Sequence, residues 1–161
     1  MVKVAETIVK EREFSYQGAV YVKELQAYVK KWFGKNGYDL FEKGYQAKAS
    51  DAGKNTTMKW EGGKKLDEYH KLVVKPIISV SNAKEAMVGG KKVVEAEIKV
   101  SLDVEVERDY EETWKGKPVK RFLRGFFDKF IATEKDSEIK RMAKREAEGF
   151  MEMVKAYFKA D

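Results

Sequence analysis

Cysteine is absent from the 161-residue chain, which excludes a disulfide framework and thiolate chemistry. Histidine occurs once, at His70, so a zinc site would lack its usual nitrogen and sulfur ligands. Proline occurs twice, at Pro76 and Pro118, and asparagine and glutamine together only six times. No apolar run approaches the roughly 20 residues that span a bilayer. The opening residues, MVKVAETIVKEREF, hold no apolar signal core. A soluble cytoplasmic protein is the expectation. Nucleotide and dinucleotide motifs are missing too, and Ser79, Ser81 and Ser101 fall in strand alternation rather than on a nucleophile elbow. No cofactor and no bound metal is expected.

What fills the chain instead is charge. Asp, Glu, Lys and Arg make up 37% of the residues, with a formal net charge of +6. Many lysines and glutamates with few amides is the pattern of proteins from hot environments. The length suits one domain with a core large enough to need no staples.

Hydrophobic period divides the chain. Residues 4 to 16 read as a strand, although Glu6, Lys10 and Arg12 share the parity of Val4, Ile8 and Phe14. Over residues 19 to 33, Val22, Leu25, Val29, Trp32 and Phe33 recur at helical steps, with Gly34 or Gly37 as the stop. Strands follow over 38 to 48 and 55 to 61. Two similar runs, Glu61-Gly62-Gly63-Lys64-Lys65 and Val88-Gly89-Gly90-Lys91-Lys92, are each expected to close a tight hairpin, since a Gly-Gly pair accepts positive φ at both turn positions. The clearest element is 93 to 107, where apolar residues from Val94 to Val106 alternate with polar ones from Glu95 to Glu107. That is a strand with one buried and one wet face. Its expected partner is 66 to 81, in which Pro76 predicts an edge position or a bulge. The C-terminal third returns to helical period: a first stripe from Val119 to Phe130, a break at residues 133 to 136, then a second helix from Ser137 whose apolar face runs through Ile139, Ala143, Phe150, Val154 and Phe158. The expected fold is α+β: an antiparallel, helix-grip-like and curved sheet of five to six strands, covered on one face by an early helix and two C-terminal helices. It forms a single domain over 1 to 161, with 117 to 160 as its helical part.

Candidate site residues are few. His70 shares a face with Leu72 and Val74; it is first a core or rim histidine, and a base only if a carboxylate lies beside it. That would be the route to a hydrolase or cyclase. Trp60, Tyr45, Tyr110 and Trp114 are aromatic candidates for a pocket, together with Phe126 on the stripe. The carboxylates at Glu95, Glu97, Asp103, Glu105 and Glu107 read as a solvated strand face rather than a Ca²⁺ loop. Residues 115 to 131 hold six bases against one acid. Lys117, Lys120, Arg121 and Arg124 there form a candidate basic surface for RNA, a ribonucleoprotein, a membrane surface or a protein partner.

The runs Lys64-Lys65-Leu66-Asp67-Glu68-Tyr69-His70, Asp109-Tyr110, Trp114 and Phe122-Leu123-Arg124-Gly125-Phe126-Phe127-Asp128-Lys129-Phe130 resemble a pattern in small uncharacterised archaeal proteins, over residues 55 to 131. That resemblance implies no activity. The order strand, helix, antiparallel strands and long C-terminal helix resembles the START-like helix-grip fold. Its members hold apolar ligands between the sheet and the last helix, but this chain departs in helix and strand number. With no catalytic motif present, and with the one-sided strand 93 to 107 facing aromatic-rich helices, the expectation is a non-enzymatic protein that holds an apolar small molecule or lipid between the sheet and the C-terminal helices; the alternative is an interaction module using the basic surface.

Overall fold

Strand β5, Lys91–Arg108, follows directly from its alternation. Ala96, Ile98, Val100, Leu102, Val104 and Val106 are all buried, while Glu95, Glu97 and Lys99 face water. In this computed structural model, residues 4–51, 53–67, 69–108 and 132–159 are described. Around β5 they form one antiparallel sheet of β1 (Val4–Val20), β2 (Asp39–Ser50), β3 (Gly53–Lys65), β4 (His70–Val88) and β5, in the order β1-β5-β4-β3-β2. Helix α1 (Val22–Lys35) joins β1 to β2, and α2 (Ala132–Lys159) closes the described chain. The α+β class and the antiparallel sheet are as the periodicity predicts.

Register ties the inner-face residues into rows across the sheet. Phe14 lies opposite Val100, Val100 opposite Ile78, Ile78 opposite Met58 and Met58 opposite Tyr45. A second row runs Val9, Val104, Val74, Gly62 and Leu40. Helix α2 lies on β1 and β5, and α1 lies on β2 and α2. From α1 the core takes Leu25, Val29 and Phe33; from α2 it takes Ile139, Ala143, Ala147, Phe150, Met151, Val154 and Phe158. The opposite face of the sheet is threaded by ion pairs. Lys75 reaches Glu105 at 3.0 Å, Lys43 reaches Glu61 at 3.1 Å and Lys99 reaches Glu13 at 3.2 Å. Burial works to lower the Lys75 pKa. The hydrogen bond and charge of Glu105, with the charges of Glu61 and Glu107, outweigh it and hold the ammonium above its ordinary value.

Several expectations are corrected. Gly62 and Gly63 make no turn: both lie inside β3 and both are buried. At Gly62 the reason is space rather than φ, whereas at Gly63 only the movable end of a lysine is in the way. A Cβ on Gly62 would meet the Phe33 ring at 2.5 Å, and one on Gly63 would meet Lys71 Cε at 2.6 Å. The other pair, Gly89 and Gly90, does form the β4–β5 turn with φ of 58° and 79°. Pro76 sits in a central strand, not at an edge. No register shift accompanies it, but the β3–β4 ladder skips from the Lys59–Ile77 pair to the Gly62–Val74 pair. Strand β1 runs to Val20, so the helix starts later than residue 19. Gly34 is helical, and Gly37, at φ 80°, follows the Asn36 cap. The break expected at residues 133 to 136 is also absent, since α2 is continuous from Ala132. The described residues therefore hold one C-terminal helix, and the stripe from Val119 to Phe130 lies outside them. Bulges explain the mixed parity of the first strand: register shifts between Thr7 and Val9 and again between Val9 and Arg12.

The two faces predict opposite mutational behaviour. Val100→Asp buries an unpaired carboxylate and is expected to unfold the protein or nearly so. Glu97→Lys, on the wet face, is expected to change stability by less than about 1 kcal/mol. Thermal melts of both variants check the assignment, and similar melting behaviour would reverse it.

Candidate functional site

The inner face of β3, β4 and β5 forms a continuous apolar floor. Met58, Trp60, Leu72, Val74, Ile78, Val100 and Val104 contribute to it, all within the core. Trp60 is 2% exposed, and its indole N–H donates to Glu42 Oε1 at 3.4 Å on the neighbouring edge strand. Trp60 stands between the paired residues Lys59 and Gly62, level with Pro76. His70, six residues away along β4, is therefore about 20 Å from that level. The fold puts both residues on the inner face but does not bring them together.

His70 is fully buried. Its partner is Asp67, whose Oδ1 accepts the N–H of Tyr69 at 2.8 Å and of His70 at 2.7 Å. The His70 ring nitrogen Nδ1 lies 3.2 Å from Asp67 Oδ1 and 3.1 Å from Oδ2. A carboxylate only accepts, so Nδ1 carries the proton, and in a neutral ring Nε2 is the basic nitrogen. The backbone of the same turn is closed by Leu66 N–H donating to the His70 carbonyl at 3.0 Å. One carboxylate thus organises the β3–β4 connection and fixes the imidazole. Asp67 went unread as the partner of His70; the signal that could have found it is the Asp-x-x-His spacing.

A second polar cluster went unread in the sequence. Lys64 Nζ lies 2.6 Å from Glu146 Oε1 and donates to the Asn36 carbonyl at 3.2 Å. The same ammonium stands 4.7 Å from the Tyr38 ring centroid, and Tyr38 OH donates to Glu146 Oε1 at 3.0 Å. Three elements meet there: the C-terminal end of α1, where a cation suits the helix dipole, with β3 and α2. Aromatic rings back the cluster. Trp32 stacks on Tyr38 at 5.6 Å, and Phe150 meets Trp32 edge-on at 5.3 Å. Residues 108 apart in sequence carry no periodic signal of such a pairing.

Tyr45 is largely exposed on edge strand β2. Tyr110, Trp114, Phe126, Lys117, Lys120, Arg121 and Arg124 lie outside the described residues. Among the described residues no cluster of three or more His, Asp or Glu gathers to hold a metal ion. No described helix is long and apolar enough to cross a membrane. No family model matches this chain, and no curated protein matches it.

The Tyr38 cluster has a pH signature. Burial first, then the charge and hydrogen bond of Glu146, push the phenol well above its ordinary value of 10.0. The folded state therefore keeps a proton that the unfolded chain releases near that pH. Its stabilising contribution is fully present below about pH 10 and is lost as pH rises beyond it. Tyr38→Phe is expected to cost about 1 to 2 kcal/mol at neutral pH. It should also flatten the fall of stability above about pH 10, measured by denaturant unfolding of both proteins across pH. Parallel curves for the two proteins would contradict the assignment.

Proposed function

We propose that this protein is a non-enzymatic binding protein that holds an apolar small molecule or lipid between its sheet and the C-terminal helical part. One observation carries the reading. The described helices make their closest backbone approaches to the outer strands, α2 to β1 and β5 and α1 to β2, while Phe33 and Gln26 of α1 reach Gly62 and Met58 of β3. The centre of the inner face, on β3 and β4, is floored by Met58, Trp60, Leu72, Val74 and Ile78. A floor without charge, buried on the inner face, suits a ligand that offers surface area and few hydrogen bonds. The helix-grip resemblance suggests the same placement, between sheet and last helix. On this reading Trp60 supplies a large apolar contact whose N–H is already engaged by Glu42, so it demands nothing polar from the ligand. His70, pinned by Asp67, closes one end of the floor without exposing a charge.

Titration with Nile red, a neutral apolar dye, tests the reading. Saturable uptake with a blue-shifted emission is expected, weakened several-fold in Trp60→Phe. A titration that never saturates, or that is indifferent to Trp60, would remove it.

A further inference from the structure

Strand β1 departs from regular geometry over residues 7 to 12. Its register against β5 shifts twice there. Within the second shift Glu11 takes a φ of 49°, a conformation that side chains rarely adopt. Its N–H is held by Asp103 Oδ1 at 2.7 Å, so the distortion is fixed from the neighbouring strand. Bulges of this kind re-aim side chains and concentrate beside binding sites.

Helix α2 runs beside this bulged segment, and between them lies a groove of about 320 Å³. Its floor is apolar: Ile8 and Val9 pack against the core, and Ala147 belongs to the core. Its rim is charged, with Lys10 and Arg12 from β1 and Lys144 and Glu148 from α2. These charges are not balanced. Arg12 and Glu148 neutralise each other in an ion pair. Lys10 and Lys144 are exposed, and among the described residues neither has a carboxylate partner. Two uncompensated cations therefore stand over an apolar floor that continues into the core between β1 and α2.

We infer that this seam receives the acid headgroup of an amphiphilic ligand, a carboxylate or phosphate at the end of an apolar chain, with Lys10 and Lys144 as its counter-charges. The inference rests on the preceding reading and adds the chemistry of the ligand's polar end. Sited at the seam, the headgroup keeps its hydration on one side and avoids the cost of burying a charge. The chain runs over Ile8, Val9 and Ala147, where it leaves water. Lysine suits this task because its long stem lies along apolar surface while its ammonium stays at the rim.

The test compares laurate with methyl laurate, which differ at the headgroup alone, as competitors of Nile red at low ionic strength. Laurate is expected to bind roughly tenfold more tightly than its ester, and added salt should shrink that advantage. In the Lys10→Gln, Lys144→Gln double variant the ratio of the two affinities should fall close to one, with a melting temperature matching the parent. Inorganic phosphate alone should not displace the dye. Equal affinity for acid and ester would overturn the headgroup site while leaving apolar binding intact. A preference retained by the double variant would overturn the location. Displacement by inorganic phosphate would overturn the amphiphile in favour of a free anion. Failure of the dye, the acid and the ester alike to bind would overturn the preceding reading, and this inference with it.

Discussion

The Phe33 ring occupies the space that any side chain at position 62 would need. A Cβ built there would lie 2.5 Å from one ring carbon and 2.6 Å from another. Because Gly62 has none, the last turn of α1 comes down onto the backbone of β3. The ring then becomes a hub. It meets Trp32 edge-on at 5.1 Å and Tyr38 at 5.5 Å, and it lies 5.8 Å from Phe150 of α2. Helix α2, whose N-terminus lies a full 97 residues beyond the end of α1, is thus seated partly on α1 rather than on the sheet alone. Dispersion contacts of this kind are individually small, but a fully buried ring makes many of them at once.

From that hub the arrangement of the candidate site follows. Phe33 of α1 seats on Gly62 of β3 and α2 lies over β1 and β5, with Met58, Trp60, Leu72, Val74 and Ile78 of β3 and β4 buried on the inner face. The Lys64–Glu146–Tyr38 cluster lies beside the hub and joins the same three elements through hydrogen bonds. A polar network of this sort specifies one packing more sharply than apolar contact does, because alternatives leave its members unsatisfied. At the far side of α2, the bulged part of β1 gives the helix a charged rim instead of a close apolar seam. One helix therefore has a tightly specified edge and an open one.

The parts of this fold that were legible in the sequence are those written in short periods. Strand β5 announces itself because its alternation is set by a sheet with one wet face. The buried stripes of α1 and α2 were read residue by residue for the same reason. Misreadings arose where a residue served a distant neighbour. Gly62 and Gly63 look like a turn beside Gly89 and Gly90, yet both lie within β3, and at Gly62 the Phe33 ring takes the space of a side chain. Pro76 looks like an edge marker, yet it is absorbed by a gap in one ladder of a central strand. Arg12 looked like a breach of strand parity until the bulges turned it toward Glu148. His70 was placed on the inner face correctly, but Asp67 as its partner depends on how the connecting turn folds.

The substitution Gly62→Ala tests the hub most directly, because the sign of its effect is at stake. Where a strand glycine has room for a methyl group, alanine stabilises by about 0.5 to 1 kcal/mol through the unfolded chain. Against a buried ring it should instead destabilise by about 1 to 3 kcal/mol. Gly44, where a Cβ would find only ordinary contact with Lys59 at 3.7 Å, is the control. Denaturant unfolding of Gly62→Ala should show a clear loss that Phe33→Leu partly relieves in the double variant, with Gly44→Ala close to neutral. A Gly62→Ala protein as stable as the parent, or more so, would contradict the account.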